Sequence, residues 1–109
     1  MFSALLLTVT FFVSGRLGWP QANTATLYGT VTDPSGAAVP NATVILTEQG
    51  TAATTTKVTG TSGDFGFTFV PAGAYTLQIT APGFAKYVNN GVQLTAGQQT
   101  QQAYKLELL

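Results

Sequence analysis

Four carboxylates, four cations and scattered hydroxyls are all that this chain offers for chemistry. The acids are Asp33, Glu48, Asp64 and Glu107, and the bases are Arg16, Lys57, Lys86 and Lys105. Histidine and cysteine are both missing, which removes imidazole and thiolate metal ligands, thiol nucleophiles and disulfides. Asp33 and Asp64 each flank a glycine turn, a setting in which calcium sites occur. Calcium asks for six to eight oxygens, and two lone carboxylates fall short of that; turn hydrogen bonding is the expected role of both. The acids are too scattered to form the facing pair that glycoside hydrolysis needs. Thr59, Thr61 and Ser62 bring hydroxyls together without a base to activate them. The expectation is a chain with no catalytic residues, no metal and no cofactor.

Binding is the better prospect. Tyr28, Tyr87 and Phe84 are candidates for an aromatic platform that stacks on sugars or peptides. The competing expectation is that Phe84 plugs one end of the fold and the tyrosines are ordinary strand residues. Only 7% of the residues are charged and the formal net charge is zero, against about 25% charged in an average soluble domain. That balance leaves no electrostatic footprint for nucleic acid or acidic lipid. Threonine, glutamine, asparagine, serine and glycine supply the polarity instead.

The elements that must position these residues are short strands. From Thr26 onward the chain alternates apolar and small polar residues. Gly, Pro, Asn or Asp cuts it about every ten residues, as in a β-sandwich. The first strand spans about Thr26–Thr32, with Leu27, Gly29 and Val31 on one face. Asp33-Pro34-Ser35-Gly36 turns the chain, and a second strand over Thr43–Thr47 points Val44 and Leu46 inward. The third, Thr54–Thr59, is rich in threonine, with Val58 its one large apolar residue; it reads as an edge, where Lys57 discourages further pairing. After Thr61-Ser62-Gly63-Asp64, Phe65 and Phe67 share a face; Phe69 is in phase with them but falls where the strand is expected to end. The clearest alternation is Ala74–Thr80, with Tyr75, Leu77 and Ile79 inward. A sixth strand within Tyr87–Leu94 is interrupted by Asn89-Asn90-Gly91, and a seventh over Thr100–Leu108 puts Tyr104, Leu106 and Leu108 on one face. The third strand and the Asn89–Gly91 break are the surfaces expected to remain open to a partner.

Ala4–Val13 is an apolar run of ten residues. A spanning helix needs about 20, whereas a secretory signal has an h-region of this length. Residues 1–22 are therefore expected to be a cleaved signal peptide and 23–109 the mature, exported domain.

Gly29-x-Val31-x-Asp33-x-x-Gly36, with Val39-Pro40-x-Ala42-x-Val44 after it, resembles the opening of carboxypeptidase regulatory-like domains. Gly63-x-Phe65-x-Phe67, Val70-Pro71-x-Gly73-x-Tyr75-x-Leu77-x-Ile79 and Gly83-Phe84 resemble the remainder of that pattern. Each position has a physical use. Gly29 suits a strand crowded by a neighbouring backbone, Gly36 and Gly63 lie in turns, and Pro71-Ala72-Gly73-Ala74-Tyr75 looks like a tyrosine corner. The resemblance implies an all-β, seven-stranded Greek-key sandwich of transthyretin-like form. It also implies a non-catalytic accessory domain, either stand-alone or the first module of a larger envelope protein such as a TonB-dependent transporter, and with it a place in the periplasm or at the outer membrane. Its partner would be another protein, or the rest of that larger protein; a carbohydrate-binding module is the alternative. Adhesin stalk domains of similar shape carry a Lys–Asn isopeptide. They place the lysine on the first strand, which has none here, so Lys57, Lys86 and Lys105 are not expected to crosslink to Asn89 or Asn90.

Overall fold

The structure, a computed structural model, describes residues 23–109; the expected signal peptide over residues 1–22 lies outside the described residues. Seven strands follow one another: β1 (Thr24–Thr32), β2 (Thr43–Glu48), β3 (Thr54–Val58), β4 (Asp64–Pro71), β5 (Gly73–Thr80), β6 (Tyr87–Leu94) and β7 (Gln99–Lys105). They form a three-stranded sheet, β4-β1-β7, and a four-stranded sheet, β3-β2-β5-β6. All neighbours are antiparallel except β1 and β7, the first and last strands, which run parallel from Thr26 beside Gln99 to Thr32 beside Lys105.

The core is the set of inward positions that the alternation marks. Ala25, Leu27 and Val31 of β1, Val44 and Leu46 of β2, Phe65 and Phe67 of β4, and Tyr75, Leu77 and Ile79 of β5 are all buried. Burying an aliphatic or phenylalanine side chain stabilises by about 1.5–3 kcal/mol relative to leaving it in water, so these two inner faces are what hold the sheets together. β3 is exposed along its whole length and lies at a sheet edge, as its sequence suggests. Val58 points out, and the residue that turns in is Thr59, only 2% exposed. Its hydroxyl accepts from the Ala42 amide at 2.8 Å and donates to the Val39 carbonyl at 2.7 Å. Thr59 thus ties the end of β3 to the segment entering β2.

Three local readings are corrected by the structure. Asn89-Asn90-Gly91 does not break the sixth strand. β6 runs through it, and two residues, Asn90 and Gly91, stand opposite the single Thr76 of β5, which makes a β-bulge. The fourth strand does not end at Phe69 but runs on to Pro71. A second bulge sets Thr68 and Phe69 against Thr26 alone, turns Phe69 into the left-handed region at φ +55° and leaves it 82% exposed, while Val70 takes the inward position. Leu108 does not continue the face of Tyr104 and Leu106. β7 ends at Lys105, and Leu108 is exposed in an isolated bridge with Phe84.

Candidate functional site

The aromatic residues divide into an inner row and an outer pair. The inner row begins at Gly29. This glycine faces the core, and a Cβ there would collide with the Phe65 ring and sit 2.8 Å from Tyr104 Cε2. Gly29 is therefore crowded by rings from both flanking strands, and not by a neighbouring backbone as the sequence reading supposed. Over it, Phe65 meets Phe67 edge-on at 5.7 Å and Tyr104 at 5.7 Å, and Tyr104 meets Tyr87 edge-on at 5.5 Å. Such contacts each contribute about 0.5–1.5 kcal/mol beyond area burial. The row crosses from β4 through β7 to β6 and so links the two sheets. Burial, with a smaller contribution from neighbouring Tyr87, pushes the Tyr104 phenol up to about 12.

Tyr87 is thus half-buried against Tyr104, and Phe84 packs on the core from its loop. Tyr28 is elsewhere. It stands on the outer face of the other sheet, 47% exposed, opposite Gly66 of β4. A Cβ on Gly66 would lie 2.9 Å from Tyr28 Cδ1, so the ring covers the glycine. Tyr28 and Tyr87 belong to different sheets and do not share a surface. The structure brings Tyr87, but not Tyr28, to the vicinity of a cleft.

That cleft lies between β6 and β7, one edge strand from each sheet. Its volume is about 280 Å³. Leu27, Leu94 and Tyr104 form its apolar floor, while Asn89 of β6 and Thr100 and Gln102 of β7 form its polar walls. Gln93 and Gln98 sit at the rim. No charged side chain lines it. Two polar groups are held in place: Asn89 Oδ1 accepts the Gly91 amide at 2.9 Å, and Gln98 Nε2 donates to Thr100 Oγ1 at 2.7 Å. Gln49, from the β2–β3 turn, reaches across with its side-chain amide to the carbonyls of Tyr75 and Asn90, fixing the β6 bulge at the cleft lip. The arrangement offers neutral donors and acceptors over an apolar floor. It can hold an uncharged polar ligand; it contains no nucleophile–base pair.

This cleft is not among the surfaces that the sequence marks as open. The signal was there: carrying the inward phase of Tyr104 back by two and four residues places Gln102 and Thr100 on the inner face, where a closed sandwich would have apolar residues.

The remaining residues singled out in the sequence are structural in placement. Asp33 Oδ1 accepts from the Ser35 hydroxyl at 2.6 Å and the amides of Ser35 and Ala37 at 2.8 and 3.0 Å. The Ser35 hydroxyl bond first, and then the backbone amides, hold its carboxyl below the usual range against the opposing effect of desolvation. Asp64 accepts from the Thr30 hydroxyl across the β1–β4 pair at 2.9 Å. Gly63 adopts φ +74°, and a Cβ there would stand 2.5 Å from the Val31 carbonyl oxygen. Gly36 and Gly83 also take left-handed conformations in their turns, and Val31 is fully buried. At the link between β4 and β5, the Tyr75 hydroxyl donates to the Pro71 carbonyl across Gly73. Burial first, and then the Glu48 carboxylate, raise the Tyr75 phenol.

The family model of the carboxypeptidase regulatory-like domain matches residues 26–107. No curated protein matches the sequence. Among solved structures, a protein from Bacteroides uniformis described as carbohydrate binding superposes with a TM-score of 0.63 at 17% identity, over 76% of this chain and 41% of that one. Hydroxyquinol 1,2-dioxygenase from Pseudomonas putida gives 0.63 at 12% identity, over 78% and 56%. A chain of the type II cohesin–X-dockerin complex from Acetivibrio cellulolyticus gives 0.58 at 21% identity, over 77% and 58%. This chain spans less than two thirds of each, and at these identities the likeness is one of fold.

Proposed function

The chain belongs to the carboxypeptidase regulatory-like domain family, and we propose that it is an exported, non-catalytic interaction module. It serves to space or dock a larger cell-envelope protein, such as a TonB-dependent transporter. The observation that carries this reading is how the reactive groups are employed. The Asp33 carboxylate and the Thr59 hydroxyl, the best candidates for chemistry, are engaged in fixing backbone. The groups turned toward solvent at the cleft are neutral amides and hydroxyls, which bind without reacting.

A carbohydrate-binding module is the second reading. Its specific support is the amide-walled cleft, together with the Bacteroides uniformis protein of similar fold. Glycan-array screening with calorimetric follow-up separates the two. The docking reading expects no soluble sugar to bind below about 10 μM, roughly −7 kcal/mol. A sugar bound more tightly, and released by Gln102→Ala or Tyr87→Ala, overturns it in favour of the second. Export is tested separately by mass spectrometry of periplasmic material, in which the first 22 residues are expected to be absent; an intact N-terminus there overturns it.

A further inference from the structure

We propose that the free edge of β7, from Gln99 to Tyr104, is the docking edge of this domain, and that its occupant is an extended, uncharged strand of a partner protein, laid over the β6–β7 cleft. The proposal rests on the docking reading above and assigns it a place.

The sandwich has four sheet edges, β4 and β7 in one sheet and β3 and β6 in the other. Natural edges are blunted by charge, proline, bulges or shortness. β3 is only five residues long and carries Lys57 at its middle. β4 has Asp64 and Pro71 at its ends and the Thr68–Phe69 bulge between them. β6 is bent by the bulge at Asn90–Gly91. β7 has none of these devices between Gln99 and Tyr104, and its first charge is Lys105 at the end. The two surfaces that the sequence marked as open, β3 and the Asn89–Gly91 region, are therefore the blunted ones.

The hydrogen-bond register says which groups β7 presents. In the parallel ladder the Thr26 amide donates to the Gln98 carbonyl at one end, and the Leu106 amide donates to the Thr32 carbonyl at the other. The even-numbered residues of β7 therefore bond to β1. The amides and carbonyls of Gln99, Gln101 and Ala103 point to the free side. An added strand finds three residues of main-chain partners there, which is how sheet edges capture extended peptides.

The sheets are also unequal, three strands against four. β3 passes to β4 through the short crossover Thr59–Gly63, which stacks these two strands on one flank. The shortfall falls on the other flank, beside β7 and above β6, where the cleft lies. One further strand on β7 makes the sheets equal. Its inward side chains meet Leu27 and Leu94, and its flanks meet Asn89 and Gln102. No charge lines this space, so a charged strand gains no ionic partner for the solvation it loses. A strand alternating apolar and neutral polar residues matches it.

The test is selection of random dodecamer peptides displayed on phage, using the full chain expressed for secretion. The expected winners lack charge and alternate apolar with polar residues. Gln101→Pro removes one outward amide and leaves the β1 ladder intact; Gln101→Lys keeps the amide and adds charge at the edge. Each is expected to weaken the selected peptide about tenfold or more, whereas Thr56→Lys on β3 leaves its affinity unchanged. Amide exchange at Gln101 and Ala103 is expected to slow about tenfold on saturation, a readout that needs no variant to fold. Peptides that bind both Gln101 variants as well as the parent overturn the β7 assignment and leave the docking reading standing. Failure to recover any peptide overturns the assignment; failure joined to a tightly bound glycan overturns the docking reading as well.

Discussion

The two flanks of the sandwich solve the same problem differently. On the β3–β4 flank the polar groups are turned inward and fully used. Thr59 spans the Ala42 amide and the Val39 carbonyl, and Gly63 lies so close to the Val31 carbonyl that no side chain fits. On the β6–β7 flank Thr100, Gln102 and Asn89 also face inward, yet they border open space. A buried polar group needs a fixed partner, because leaving it unmade costs about 1–3 kcal/mol; a polar group at a cleft wall has water or a ligand. Inward polarity therefore means rigidity on one flank and availability on the other. The difference lies in whether a strand stands opposite.

Substitutions break or sharpen that contrast. The largest effect is expected from the core: Phe67→Ala empties a fully buried site on β4 and should cost about 3–5 kcal/mol in denaturant unfolding. Next comes the sealed flank. Thr59→Val keeps the shape and removes both hydroxyl bonds, for an expected loss of about 1–3 kcal/mol. Tyr75→Phe, which strands the Pro71 carbonyl, should lose a similar amount; an unchanged midpoint would deny that the corner clamps the β4–β5 link. A pH titration probes the seam between the flanks. Burial favours the neutral Tyr104 phenol in the folded chain, where it ionises at about 12, above the ordinary 10.0. The folded state then holds a proton that the unfolded chain has released. This contribution is complete below pH 10, declines as pH rises and is gone past about pH 12. Tyr104→Phe should flatten that alkaline limb, and a limb left equally steep would assign it to other groups. The smallest effect belongs to the open flank: Gln102→Leu should change stability by no more than about 0.5 kcal/mol. A loss as large as that of Thr59→Val would mean that the cleft is closed in solution.

What the sequence made legible follows the same division. β5 could be read directly, because Tyr75, Leu77 and Ile79 alternate strictly and all three are buried. The edge character of β3 was visible in its threonines and Lys57. Gly29 was recognised as a crowded position, but the crowding comes from the Phe65 and Tyr104 rings, brought together by pairings far apart in sequence. The fourth strand was expected to end at Phe69 and instead runs on to Pro71 through a bulge that leaves Phe69 exposed, and nothing in the local pattern announces a bulge. The cleft was the larger omission. Gln102 and Thr100 sit in step with Tyr104, and their polarity on an inward phase was the available sign. Tyr28 and Tyr87 looked alike as exposed aromatics in strands; only the sheet assignment separates them.

The parallel pairing of β1 with β7 has a mechanical meaning. Chain enters at the Thr24 end of β1 and leaves at the Lys105 end of β7, so force applied through the two ends pulls these strands along their length in opposite directions. Seven register pairs, from Thr26 beside Gln99 to Thr32 beside Lys105, lie across that line of pull. In a parallel ladder the bonds are evenly spaced, and shear loads them together, whereas a hairpin pulled from its open end gives them up one by one. A domain tethered at both ends would hold its shape under tension until the whole ladder yields at once.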